Sequence, residues 1–228
     1  MKLIDTNDFL LASQGLNRFR ESLVSKLVMY ILRLHKLDKL NAKVHDDDPE
    51  AVLDSLIEAL GVTIEVKEED LEKIPKNGPF ITVSNHPFGG LDGIILIRLL
   101  CKLRPDYKIM SNFLLKKIDP LQDYILGLEP ADGKNASNMR VIKEAIRHVI
   151  DGKPLGIFPA GEVSSYQADS NHVEDKEWDA SVVKLVKMGK VPVIPIYFKG
   201  SNSLLFYLLG MIHPVLKTIK LPSELLNK

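Results

Sequence analysis

One cysteine, Cys101, stands in a chain of 228 residues. A single thiol excludes an intrachain disulfide and any zinc site built from several cysteines, and it suits a reducing compartment. An excess of either charge is also missing: 30 Lys and Arg face 30 Asp and Glu. Proteins that grip nucleic acid carry a basic excess or stripe, so no nucleic-acid partner is expected. Long apolar runs are absent too. The longest, Leu204–Ile212, reaches about half of the roughly 20 residues a spanning helix needs. Met1–Gln14 contains acids and lacks a continuous apolar core, so it does not read as a signal peptide. There is no Gly-x-Ser-x-Gly elbow, which argues against a standard α/β-hydrolase. Without a Walker loop or dinucleotide fingerprint, no nucleotide cofactor is called for. His148, His172 and His213 lack metal-ligand spacing, so no metal is expected.

What remains is a chain that is 45% hydrophobic, enough to build a real core. Leu16, Phe19, Leu23, Leu27, Tyr30, Ile31, Leu34 and Leu37 recur at helical spacing and predict an amphipathic helix over Leu16–Leu40. Its basic residues outnumber its acids. Such a helix can lie on an anionic membrane surface; a helix packed on the domain with solvated charges gives the same pattern. Pro49 suits the first turn of a helix running to Leu60 and closed by Gly61. Residues 1–60 thus read as an N-terminal helical segment and 61–228 as the main domain. The last residues, Leu221–Lys228, read like the start of another element, as in a chain cut short.

Val62–Val66 alternates like a strand, and Glu68–Ile74 reads as a short acidic turn or helix. Short apolar strands are predicted at Phe80–Ser84, Tyr107–Met110, Tyr124–Leu128, Leu155–Pro159 and Val191–Phe198. Helices are predicted at Gly93–Leu103, Asn112–Ile118, Asn135–Ile150, Ala180–Met188 and Ser201–Gly210, and Val163–Trp178 reads as a long polar loop. This alternation argues for an α/β fold with a mostly parallel central sheet flanked by helices. Sites in such sheets lie where strand ends meet helix starts, and three polar motifs here follow short strands. Cys101 and Trp178 read as core residues, His148 as surface or packing, and His172 as a loop histidine. Ser201–Ser203 reads as a helix cap or a substrate contact.

The densest motif is Ser84–Asn85–His86–Pro87–Phe88–Gly89–Gly90–Leu91–Asp92, between a buried strand and an apolar helix. A neutral imidazole suits proton removal near pH 7. A carboxylate on its other nitrogen would fix the tautomer and stabilise the charged form. Gly89 and Gly90 permit the tight turns that would let residues six apart face each other, and Asn85 can orient the loop.

Asn85-His86 followed by Asp92 resembles the signature of the glycerolipid (lysophospholipid) acyltransferase superfamily. The usual form there is His, four residues, Asp; here the gap is the five residues Pro87–Leu91. This variant resembles a bacterial branch often labelled hemolysin-like, which is similar to enzymes making ornithine and glycine lipids. Phe158-Pro159-Ala160-Gly161-Glu162-Val163-Ser164 sits where the superfamily has Phe-Pro-Glu-Gly-Thr-Arg-Ser, and Val191–Pro195 resembles its terminal Val-Pro-Ile-Val-Pro block. The resemblance implies a glycerol-3-phosphate-acyltransferase-like fold. It also implies a reaction between an acyl thioester, carried by acyl carrier protein or coenzyme A, and an acceptor hydroxyl. His86 would be the general base and Asp92 its orienting partner. Asn85, Phe158, Pro159, Gly161, Glu162 and Ser164 would line the substrate, with Gly161 near the acceptor or the oxyanion. A thioester is already activated, so neither an enzyme nucleophile nor a cofactor is implied.

The departures shape the expected acceptor. No arginine matches the phosphate-binding arginine of the superfamily's second block between Tyr124 and Asn135. The usual Glu and Arg of the third block are Ala160 and Val163. A site that loses a guanidinium and keeps the Glu162 carboxylate is poor for phosphate. An acceptor other than glycerol 3-phosphate is therefore expected, a lyso-aminolipid or other lysolipid in membrane lipid synthesis. N-acylation of an amino acid such as glycine or ornithine is one alternative; a non-catalytic, membrane-associated lipid-binding module is another. The expected location is cytoplasmic, peripheral on the inner face of the cell membrane.

Overall fold

The computed structural model describes residues 48–112, 115–117, 119–128, 136–178 and 180–225. The predicted Leu16–Leu40 helix lies outside the described residues. Helix α1, Pro49–Ala59, is opened by Asp48, whose side chain accepts the Glu50 N–H, and by a proline in its first turn, where a missing N–H is harmless. Strand β1 is Ile81–Ser84, and helix α2, Gly90–Cys101, follows it. Strand β2 is Lys108–Asn112, β3 is Ile125–Leu128, helix α3 is Ala136–Ile150, and β4 is Leu155–Ile157. Strands β5, Ser165–Gln167, and β6, His172–Glu174, form an antiparallel hairpin. Helix α4, Ala180–Gly189, strand β7, Val193–Ile196, and helices α5, Leu204–Ile212, and α6, Pro214–Leu225, complete the order.

The main sheet runs β3-β2-β4-β1-β7 with every pairing parallel. Alternate strand residues enter two cores. Ile109 and Ile125 join α1 and α2 on one face through Val52, Leu53, Leu96, Ile97 and Leu100. Ile81, Val83, Met110, Leu126, Leu155 and Ile157 meet Ala145 and Val149 of α3 and Leu185 of α4 on the other. This three-layer arrangement is the α/β fold expected from the alternation of elements. The helix beginning at Pro49 belongs to the core, and an ion pair between Asp54 and Arg98 ties α1 to α2. No helix among the described residues is long and apolar enough to cross a membrane.

Several expectations fail for identifiable reasons. Val62–Val66 is extended but unpaired; its alternation seats Val62 and Ile64 against the core without a strand to bond. Residues 115–117 and 119–124 form two 3₁₀ turns, not one α-helix, and β2 runs on to Asn112. The polar loop holds the β5–β6 hairpin. Trp178 is 48% exposed, so it is no core anchor. Leu221–Leu225 ends helix α6 instead of opening a new element. Cys101 is buried as expected, and burial pushes its thiol up to about 12.

The centre of the sheet is closed by Tyr107, fully buried, whose hydroxyl hydrogen-bonds Thr82 Oγ1 at 2.6 Å. It lies across Gly156 of β4, where a Cβ would stand 2.1 Å from the Tyr107 oxygen. Gly156→Ala is therefore expected to lower stability by about 1–3 kcal/mol, the usual penalty of overpacking. Adding Tyr107→Phe should recover part of it, as read by urea unfolding of the single and double variants.

Candidate active site

Strands β4, β1 and β7 are neighbours in the sheet, so the segments leaving their C-terminal ends converge on one edge, as parallel sheets dictate. The segment after β1 is fixed at successive residues. Asn85 Nδ2 donates to the Phe198 carbonyl at 2.9 Å and its Oδ1 accepts the Phe198 N–H at 2.7 Å. Both ends of this amide are thus taken by main chain beyond β7. Next, the His86 N–H donates to Asp175 Oδ1 at 3.2 Å, and the His86 carbonyl accepts the Ser164 N–H at 3.0 Å. The Pro87 carbonyl accepts from Asn202 Nδ2 at 2.7 Å.

Helix α2 then begins at Gly90, with Gly89 as its cap at φ 67° and ψ −131°. A Cβ at Gly89 would also lie 2.9 Å from Leu221 and 3.2 Å from Val163, so both backbone and packing require glycine there. Gly90 is ordinary helix; the turn is made by Gly89 alone. Asp92 is the third helical residue, from which a side chain reaches back to the N–H groups preceding the helix. Its Oδ2 accepts the Phe88 N–H at 2.9 Å and stands 3.0 Å from His86 Nδ1. The five-residue gap is absorbed in this way. The imidazole and carboxylate are at hydrogen-bonding distance but off the straight N–H···O line, as is common before substrate tightens such a pair.

Asp92 is fully buried while the His86 side chain keeps 16% exposure. Burial pushes the Asp92 carboxyl above its ordinary value; His86 and the Phe88 and Gly89 N–H groups pull it part of the way back. The His86 ring packs on Phe158 at 4.2 Å between centroids, tilted by 33°. Among the described residues no protein group hydrogen-bonds its Nε2. An imidazole with one nitrogen beside a carboxylate and the other not hydrogen-bonded can take a proton from a bound hydroxyl.

The segment after β4 places its residues differently. Phe158 and Pro159 are buried beside His86. The Gly161 N–H closes a turn onto the Phe158 carbonyl at 3.0 Å. Ser164 is buried, and its hydroxyl donates to Asp175 Oδ1 at 2.5 Å, so this one carboxylate oxygen clasps both chain segments. Glu162 does not stand as an unpaired carboxylate. Lys176 Nζ lies 3.2 Å from one of its oxygens and Lys217 Nζ 3.6 Å from the other. Lys217 also donates to the Val163 carbonyl at 3.0 Å.

Asp175, Lys176, Lys217 and Phe198 were not singled out by the motifs. A hairpin signal was present for Asp175, since Ser165–Gln167 and His172–Glu174 flank the turn-prone Asp169-Ser170-Asn171. Ser203 caps α5, accepting the Phe206 N–H at 3.3 Å, and is held by Glu224. His148 is buried and donates from Nε2 to the Pro154 carbonyl; His172 is exposed on β6.

The His86–Asp92 pair thus stands at the C-terminal edge of the parallel sheet. The chain matches the acyltransferase family over residues 11–227 and belongs to it. Two relatives are named lyso-glycine lipid O-acyltransferase. The protein of Bacteroides thetaiotaomicron is 30% identical over 185 residues, 79% of this chain and 65% of that one. The protein of Phocaeicola vulgatus is 28% identical over 193 residues, 82% of this chain and 66% of that one. In each case the match spans slightly under two thirds of the relative's own length.

Two measurements follow from this geometry. Because the folded-state pKa of Asp92 is raised, the penalty of its buried charge is present above that pKa and disappears as pH falls below the unfolded value of about 3.9. Asp92→Asn is expected to resist urea better than the parent at neutral pH, with the gap closing as pH falls. Asp175→Ala removes the acceptor shared by His86 and Ser164. It should cost about 1–3 kcal/mol in unfolding experiments and speed hydrogen exchange at the His86 and Ser164 amides.

Proposed function

We propose that this chain transfers an acyl group from a thioester to the hydroxyl of a lysolipid, with a lyso-glycine lipid as the acceptor its relatives suggest. The observation that carries the reading is the His86–Asp92 pair, with Nδ1 on a buried carboxylate, Nε2 turned away from it, and the ring seated on Phe158. His86 Nε2 takes the acceptor's hydroxyl proton as its oxygen attacks the thioester carbonyl. The tetrahedral oxyanion collapses, the carbon–sulfur bond breaks, and the departing thiolate receives the proton from the imidazolium. Asp92 stabilises that imidazolium and holds the tautomer. Acyl carrier protein and coenzyme A both supply such a thioester, and no cofactor enters the scheme. A lipid acceptor puts the working protein at a membrane surface, peripheral and on the cytoplasmic side where both donors are made.

The acceptor's chemistry changes with the structure. Taken alone, Glu162 favours an amine-bearing head group. Paired with Lys176 and Lys217, it belongs to a cluster of net positive charge. That cluster agrees better with a glycine lipid, whose nitrogen is acylated and whose head group is the remaining carboxylate.

The test is turnover by the His86→Ala protein with an acyl thioester and a lyso-glycine lipid, followed by thiol release and lipid mass spectrometry. Loss of about 10²–10⁴ in kcat is expected for removal of a general base. Near-normal transfer by His86→Ala sinks the reading. Equal or better transfer to free glycine or ornithine would move it to N-acylation.

A further inference from the structure

Beside the third-block segment lies a small pocket of about 120 Å³ lined by Glu162, Ser165, Tyr166, Tyr207, Met211 and Lys217. Neither His86 nor Asp92 lines it. Yet one peptide group joins it to the base. The peptide between Val163 and Ser164 gives its N–H to the His86 carbonyl and its carbonyl to Lys217 Nζ, each at 3.0 Å. One peptide group, with a hydrogen bond on each side, therefore separates the Lys217 ammonium from the backbone of His86.

Two lysines give the polar groups around this pocket a cationic bias. The Lys217 side chain is nine-tenths buried, unusual for a lysine. Tyr207 Oη already accepts the Asn202 N–H at 2.8 Å, and Ser165 Oγ accepts from Gln167 Nε2 at 3.1 Å. Each still has its own O–H to donate and one lone pair left, while Tyr166 spends its proton on Asn171 Oδ1. Two ammoniums against the one carboxylate of Glu162 leave a single positive charge. A monoanion balances it; a phosphate dianion beside Glu162 would overshoot, and no guanidinium is present to grip it in two places.

The apolar surroundings suit the rest of an amphiphile. Met211 belongs to both the pocket and the outer face of α5, where Leu204, Leu205, Leu208 and Ile212 are also exposed at helical spacing. No charged residue occurs anywhere in α5. An apolar strip that large on a soluble surface marks a binding face, and this one begins at the cationic pocket.

We propose that this pocket is the head-group site of the acceptor, with Lys217 holding its carboxylate, Lys176 assisting from the rim, and the acyl chain lying along α5. The assignment rests on the acyltransferase reading for its purpose but not for its test. Calorimetry of the full chain with N-decanoylglycine, its methyl ester and coenzyme A reads binding without turnover. The free acid is expected to bind about tenfold or more tightly than the ester. Lys217→Met should erase that difference, Lys217→Arg should keep most of it, and coenzyme A affinity should be unchanged in both. Lys176→Gln, at an exposed site where folding is not at stake, should cost the acid alone about threefold.

Equal affinity for acid and ester in the parent protein overturns the proposal. So does a Lys217→Met loss shared equally by acid and ester, or one that falls on coenzyme A, which would assign Lys217 to the donor's phosphates. If Lys217→Met does not fold, the parent's acid-over-ester ratio and the Lys176→Gln result decide. Acid selectivity that survives alongside full activity of His86→Ala would leave the head-group site standing and remove only the catalytic reading.

Discussion

A carboxylate taken wholly out of water is costly unless its oxygens meet donors, and the arrangement around Asp92 answers that demand. Placing it third in α2 lets it turn back onto the Phe88 N–H at the positive end of the helix. The turn that makes this reach possible needs the left-handed φ of Gly89. Gly89 in turn is packed by Val163 and Leu221, which brings the third-block segment and α6 against the turn that follows His86. The compensation is incomplete, since the carboxyl still sits above its ordinary pKa and its Oδ1 has no partner among the described residues.

The surrounding hydrogen bonds position the segment that carries His86. Asn85 is matched to the Phe198 main chain, Asn202 holds the Pro87 carbonyl, and Asp175 joins His86 to Ser164. Each links the segment after β1 to one that arrives from elsewhere in the chain. The imidazole is thus set by contacts to the turn before α2, the β5–β6 hairpin and the chain after β7. Phe158 adds the apolar wall. Asn85 and Ser164, expected to line the substrate, also belong to the frame that holds this segment.

Much of this was legible in the sequence where a period or a local motif carried it. The five main strands, the helices after all of them but β2, and the His86–Asp92 pair follow from apolar spacing and from chemistry within nine residues. What escaped was of two kinds. Val62–Val66 has a strand's alternation but no neighbour to pair with, and pairing is a property of the whole sheet. Asp175 and Lys217 act across 89 and 54 residues of chain, and nothing in their immediate neighbours announces such a partner. Glu162 shows the consequence most sharply. Its own charge was read correctly, but the sign of its surroundings was set by two lysines from other elements.

The peptide between Val163 and Ser164 also has an electronic consequence. An ammonium on an amide oxygen draws charge toward that oxygen and makes the same amide's N–H a stronger donor. With Lys217 on the Val163 carbonyl and His86 beyond the Ser164 N–H, the charge on a lysine of α6 polarises the bond that holds the segment after β1. Removing the Lys217 proton would weaken the Ser164 N–H as a donor to the His86 carbonyl without touching the ring.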